Sequence, residues 1–219
     1  MSSHHIVRDQ QEPALIIANG EPCSLELLGQ LLEWSPYVLA LDGAYVRLNQ
    51  WGIKIDALLG DFDSIGSGLD LNLQDHTTVV SAPNQDKTDL EKGIEYLIAQ
   101  GHRAVNVLWA TGRRADHTFA NITNIVRYSQ QIDINILDDY SRIYMLPRHF
   151  EKWFAKDTNI SLVPIGRVEG IVTQNLKYPL HNETLEIGKR IGTSNAVLAD
   201  GLVAIDYASG FLMMMECWD

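Results

Sequence analysis

Residues 104–128 read AVNVLWATGRRADHTFANITNIVRY. The stretch AVNVLWAT (104–111) is short, apolar and rich in β-branched residues, as a buried strand is. Gly112 and two arginines then turn the chain, and ADHTFANITNIVRYSQQ (115–131) reads as a helix. A buried strand feeding straight into a helix is one step of a parallel βαβ sheet. The same step recurs upstream. ALIIANG (14–20) is followed by SLELLGQLLEW (24–34), whose leucines at 25, 28, 31 and 32 have helical spacing and whose Ser24 can cap it. YVLALDGA (37–44) leads into a short helix stopped near Gly52, and IDALLGDFDS (55–64) and TTVVSAP (77–83) are further strands. TDLEKGIEYLIAQG (88–101) carries a capping box at Thr88 and Glu91 and a stop at Gly101. INILDD (134–139) is the next strand.

The pattern changes after about residue 145. IYMLPRHFEKWF (143–154) is ambiguous, and then short β-like runs recur with turn residues between them: NISLVPIG, VEGIVTQN, TLEIGKRIG, LVAIDYASG and FLMMMECW. The expected architecture is an α/β N-terminal domain with a mostly parallel, Rossmann-like sheet over residues 1–145, then a small all-β sandwich domain over 146–219. Met213–Met215 read as core packing.

The chain has 219 residues, 46% of them hydrophobic and 21% charged, with a net charge of −11. So acidic a chain is a poor nucleic-acid binder, because phosphate backbones need a positive field. No apolar run approaches the roughly 20 residues that span a bilayer, and the first residues lack a secretory apolar stretch. Cys23 and Cys217 offer neither metal spacing nor a disulfide framework, and His4 and His5 read as a polar terminus. These features together predict a soluble, cytoplasmic protein.

In open α/β sheets ligands gather at the carboxyl ends of the strands. Four successive strand ends deliver aspartates there: Asp42, then Asp61 and Asp63, then Asp86 and Asp89, then Asp116. Clustered carboxylates repel unless a cation joins them, and Mg²⁺ takes a few carboxylates plus phosphate oxygens. In an extended segment positions i and i+2 face the same way, so Asp61 and Asp63 can address one ion. Thr88 and Asp89 cap a helix whose N-terminus attracts phosphate, while Asp86 and Lys87 have no capping role. Arg114 can fork phosphate oxygens, with Arg113 beside it and His117 behind. No P-loop, G-x-G-x-x-G string or nucleophile elbow occurs. An acidic, metal-filled edge with arginines suits phosphoryl-type transfer, which needs positioning and charge neutralisation.

LALDGAYVRL (39–48), LLGDFDSI (58–65), NQDKTDLEKGIEYL (84–97), TGRRADHTFANI (111–122), LKYPL (176–180) and GTSN (192–195) occur in that order. Together they resemble the thiamine pyrophosphokinase family from about residue 14 to the end. The resemblance implies transfer of pyrophosphate from ATP, with Mg²⁺, to the thiamine hydroxyl, giving thiamine diphosphate and AMP. It implies a homodimer whose active site lies at the subunit interface, between the α/β domain of one chain and the β-domain of the other. Residue by residue, it makes Asp61, Asp63 and Asp86 metal-binding and, with Asp116, catalytic. Asp63 or Asp86 would take the hydroxyl proton. It places Asp42, Lys87, Thr88, Asp89 and Arg114 at the nucleotide and Ser194 and Asn195 at thiamine. Glycine is usual in the family where this chain has Trp109 and Arg113, and bulk there would reshape the nucleotide pocket. Some relatives place a tryptophan over thiamine near the C-terminus, where this chain has Phe and Met, with Trp218 close by. Two other readings stand beside this one: a pyrophosphokinase for another hydroxymethyl heterocycle, and a non-catalytic nucleotide or thiamine-phosphate sensor.

Overall fold

Six strands pair in parallel in the order β4-β3-β2-β1-β5-β6: β4 Thr78–Ser81, β3 Ala57–Gly60, β2 Val38–Leu41, β1 Ala14–Ile17, β5 Ala104–Leu108 and β6 Asp133–Asp138. The computed structural model describes residues 12–62 and 76–218. Asp63 and the His4–His5 pair therefore lie outside the described residues. The helices are α1 Leu25–Leu32, α2 Asp42–Gln50, α3 Asp89–Ala99 and α4 Ala115–Tyr128.

The inner strands are apolar throughout because both faces of the sheet are covered. Alternate residues divide between two cores. Ile16, Leu39, Leu59 and Val107 pack with Leu90, Ile94 and Ile125 of α3 and α4. Leu15, Ile17, Ala40 and Leu58 pack with Leu28 of α1 and Tyr45 and Leu48 of α2. Both predicted N-caps form: Ser24 Oγ accepts from the Leu27 N–H at 3.3 Å, and Thr88 Oγ1 from the Glu91 N–H at 3.2 Å; the Glu91 carboxylate, expected to complete a capping box, pairs with Arg127 at 2.6 Å and accepts from the Tyr128 hydroxyl instead. One helix starts earlier than its sequence suggests. α2 opens at Asp42 itself, directly after β2, with no side-chain cap on Leu41.

The parallel strands and the antiparallel strands that follow them are hydrogen-bonded into one sheet. β6 turns back as a hairpin into β7 (Ser141–Met145), and the sheet runs on through β13 (Ser209–Cys217) and β9 (Asn159–Gln174). Thirteen described strands form one mixed sheet, with two of them branching from β9 off the main path, and antiparallel pairings outnumber parallel ones. The hairpin has a local cause, since Asp138 Oδ1 accepts from the Tyr140 N–H at 3.0 Å and the Ser141 hydroxyl at 2.9 Å. Such an aspartate turn reverses the chain without a glycine.

β9 is one strand where the sequence suggested two. Its first half pairs with β13 and β11 (Gly192–Ala196), and its second half pairs with β10 (His181–Glu186) and β12 (Gly201–Asp206). Gly166 and Gly170 take positive φ where the strand changes sheets. The ambiguous 143–154 segment supplies β7 and β8 (His149–Phe154), and β8 pairs with β12. Ile160 and Leu162, with Val203 and Ile205 from the facing strands, form a sandwich-like core. Met213 and Met214 are both buried, and their side chains serve opposite faces: Met213 joins the α3–α4 core and Met214 the sandwich core.

Candidate active site

The chain order reverses at β1, which has β2 on one side and β5 on the other. At that switch point the loops after the two strands diverge and leave a crevice. A cavity of about 320 Å³ sits there. Asn19 and Gly20 follow β1, Asp42 opens α2, Thr88 and Asp89 lie at the start of α3, and Trp109, Ala110, Gly112, Arg113 and Arg114 supply the far wall, with His117 and Asn121 from α4.

Glycines let the loops close on one another. A Cβ on Gly20 would lie 2.3 Å from the Trp109 carbonyl oxygen, and one on Gly60 would lie 2.5 Å from the Asp42 carboxylate. Gly60 therefore brings the end of β3, and Asp61 after it, against Asp42.

Asp42 is only 8% exposed. Its Oδ1 accepts the Gly43 N–H at 2.6 Å. Burial, and then the charge of Asp89, push its carboxyl above the usual range; the Gly43 and Phe62 backbone N–H groups oppose this and Asp61 adds to it. Three carboxylates from β3 and the starts of α2 and α3 thus share one field. Gln85 reaches across from the loop before α3, its Nε2 donating to Asp61 Oδ2 at 3.2 Å. Phe62 takes φ +60, so the 61–62 step is a left-handed turn rather than extended strand.

The opposite wall is basic. Arg114 forks Asp116 through contacts of 3.1 and 2.5 Å at the exposed N-terminus of α4. That pairing holds the Asp116 carboxyl down at about 2. Arg113 pairs with Glu21 at 3.4 Å. Asn121 is buried and donates to the Ala110 carbonyl at 2.8 Å, fixing the floor of the loop. Trp109 takes φ +57 and Arg113 φ +52, the two positions where the resemblance implies glycine. The expected bulk in the pocket does not follow at Trp109. Its ring turns into the α1–α2 core, 1% exposed, edge-on to Trp51 at 5.6 Å and under the Arg47 guanidinium at 4.9 Å.

Of the residues singled out in the sequence, the cavity gathers Asp42, Thr88, Asp89, Arg113, Arg114 and His117. Asp61 adjoins it through Asp42. Asp86 is exposed on the neighbouring loop, its N–H held by Asn84 Oδ1 at 2.8 Å. Lys87 points elsewhere: its ammonium bonds Glu95 at 2.7 Å, and Glu95 also accepts from the Tyr128 hydroxyl. In this conformation Lys87 braces α3 against α4. Asn121 and Lys92 gave no sequence signal, since each lies on the buried side of a helix and bonds a carbonyl ten or more residues away.

Ser194 and Asn195 lie on β11, away from this cavity. Ser194 has φ +57, and its N–H donates to Ser161 Oγ at 3.1 Å. Asn195 is buried, with its Oδ1 accepting from the Tyr178 and Ala196 N–H groups and its Nδ2 donating to the Tyr178 carbonyl at 2.8 Å. It clamps the 176–180 turn. Asn195→Ala strands both Tyr178 backbone groups and should cost about 2–3 kcal/mol in urea denaturation. A loss below about 0.5 kcal/mol would mean that water replaces the clamp. Trp218 donates its indole N–H to the Asp139 carbonyl, which ties the chain end to the β6–β7 hairpin.

Among the described residues no three carboxylate, histidine or cysteine side chains converge closely enough to hold a metal by themselves. The donors that do gather are all carboxylate oxygens, the hard ligands Mg²⁺ selects, and Mg²⁺ needs only one or two of them beside substrate phosphate.

Two family models match the chain: the thiamin pyrophosphokinase catalytic domain over residues 28–137, and the thiamin pyrophosphokinase vitamin B1 binding domain over 148–212. A thiamin pyrophosphokinase 1 from Caenorhabditis elegans is 29% identical over 212 residues, covering 88% of this chain and 84% of that protein. A thiamine pyrophosphokinase from Bacillus subtilis is 26% identical, covering 93% and 98%. The fold matches the crystal structure of a Bacillus subtilis thiamine pyrophosphokinase with a TM-score of 0.81 at 24% identity, over 94% of this chain and 99% of that one. It matches yeast thiamin pyrophosphokinase with a TM-score of 0.82 at 16% identity, over 98% and 88%.

Proposed function

Because the chain belongs to the thiamin pyrophosphokinase family of ATP-dependent pyrophosphotransferases, we propose that the β1–β5 cavity is its ATP site and that the reaction runs along the Asp42–Asp61–Asp89 edge. The observation that carries this is that Asp42 and Asp89 line one cavity with Arg113 and Arg114 at the switch point of the parallel strands, with Gly60 packing the end of β3, next to Asp61, against Asp42. A triphosphate laid between the walls meets guanidinium groups on one side. On the other it meets the N-terminus of α3, whose free N–H groups favour anions.

Asp61, Asp63 and Asp86 would hold Mg²⁺, which neutralises phosphate charge when bound. Thr88, Asp89 and Arg114 position the phosphates. Asp116 keeps Arg114 oriented through its fork. The thiamine hydroxyl oxygen forms a bond to the β-phosphorus, and the bond from that phosphorus to the α–β bridging oxygen breaks. AMP leaves with the bridging oxygen, and the hydroxyl proton passes to Asp63 or Asp86. Lys87 reaches the phosphates only by releasing Glu95.

Residues 1–145 carry the nucleotide and 146–219 the thiamine in this reading. Ser194 and Asn195 lie outside the cavity of their own chain, which favours a homodimer in which the β-half of one subunit faces the ATP site of the other. The place of work is the cytoplasm; no described helix is long and apolar enough to cross a membrane.

The test is AMP release from ATP as a function of thiamine and Mg²⁺. AMP should form only when both are present. ADP as the product, or release indifferent to thiamine, would refute the reading. A panel of hydroxymethyl heterocycles in place of thiamine should give turnover at least tenfold lower.

A further inference from the structure

We infer that Lys92 is a positioning residue for the ATP site: its ammonium fastens together the two ends of the 83–88 loop and fixes Asp89 at the cavity. The inference rests on the assignment of Asp89 to the nucleotide made above. The Lys92 side chain is only 8% exposed. Its Nζ donates to Asp89 Oδ1 at 3.0 Å and to the Ala82 carbonyl oxygen at 2.9 Å. Ala82 is the first residue after β4 and Asp89 the first of α3. Everything between them is the loop that sends Gln85 to Asp61 and carries Asp86 and Thr88.

One buried cation thus joins the entry and the exit of the loop. An ordinary i,i+3 ion pair on a helix surface lacks both the burial and the carbonyl bond. Here the pair has a second task. Asp89 and Asp42 repel across the edge, and the effect reaches the Asp42 carboxyl. A cation on Asp89 holds that carboxylate against the repulsion and fixes the direction it presents to the cavity. Lys92 itself does not line the cavity. It acts through Asp89 and through the loop.

A double-mutant cycle tests this. The wild-type chain, K92M, D89N and K92M/D89N are compared for thiamine-dependent AMP release, and amide exchange over residues 83–89 is measured in the wild type and K92M. K92M should lower kcat/KM for ATP roughly 10–100-fold, with KM for thiamine unchanged within about twofold. In the D89N background the same change should cost less than about threefold, because the partner it positions is already gone. Amides 83–89 should exchange at least about tenfold faster in K92M while the helix cores keep their protection. Two results would overturn the role: the full K92M effect persisting beside D89N, or unchanged exchange over 83–89. A K92M chain with wild-type kinetics and only a lower melting temperature would also overturn it, leaving Lys92 a stabiliser. No thiamine-dependent AMP from the wild-type chain would instead sink the site assignment, and the exchange experiment would still read the loop.

Discussion

Asp61→Asn is expected to lower kcat about 100–1,000-fold, roughly 3–4 kcal/mol of transition-state stabilisation, while the chain keeps its fold. The amide has the size of the carboxylate, so no cavity opens beneath it. Its carbonyl oxygen can still accept from Gln85 Nε2, which now donates to Asp61 at 3.2 Å, so the link to the 83–88 loop survives. What disappears is one negative oxygen on the acidic edge. The same loss relieves Asp42, whose carboxyl Asp61 helps to push up. A stability change within about 1 kcal/mol therefore accompanies the large kinetic one. A second readout needs no turnover. With a non-hydrolysable ATP analogue, Mg²⁺ should raise the melting temperature of the parent chain and have little effect on Asp61→Asn, since only a bound ligand stabilises by mass action. Near-parental kcat at saturating Mg²⁺, with the thermal shift intact, would remove Asp61 from the metal site.

The α/β half was readable because its inner strands are buried on both faces and two of its helices, α1 and α3, carry side-chain caps. ALII at 14–17 and Thr88 with Glu91 are local signals. The junction was harder. What joins the halves is a side chain, Asp138, accepting two bonds in a turn without glycine or proline, and LDDYS does not distinguish that from a strand end. β9 read as two strands because Gly166 and Gly170 interrupt it, whereas those glycines let one strand bend from sheet to sheet. In the site, aspartates at strand ends were legible from spacing. Their partners were not. Lys92 looks like a helix-surface lysine until Ala82 and Asp89 close around it, and Lys87 looks like a phosphate ligand until Glu95 takes it. Asn195 reads as a substrate contact, and the bonds its side chain makes to Tyr178 were not visible. In each case charge and sequence position are visible while the acceptor, set by the fold, is not.

Trp109 should give the largest stability effect, and the order of its variants is the informative part. The indole is fully buried among Trp51, Arg47 and the α1–α2 core, and truncating such a side chain costs about 3–5 kcal/mol. Two features oppose that cost. The residue sits at φ +57, a conformation that costs a side chain bearing a Cβ roughly 1–2 kcal/mol. Its indole N–H has the Cys23 sulfur, a weak acceptor, as its partner in the core, so truncation also removes a burial penalty of at most about 1 kcal/mol. Trp109→Ala deletes the ring and the weakly bonded donor but keeps the strain. Trp109→Gly removes the strain as well, at an unfolded-state cost of about 0.5–1 kcal/mol. Trp109→Gly should therefore lose about 2–4 kcal/mol in urea denaturation and be no less stable than Trp109→Ala, the reverse of the order at an ordinary buried position. An alanine variant more stable than the glycine variant by 1 kcal/mol or more would show that the turn after β5 carries no backbone strain. The glycine that the family resemblance implies at this position is the low-strain solution for a left-handed turn at the pocket wall. In this chain the strain is offset by driving a large ring through the sheet edge into the core behind it.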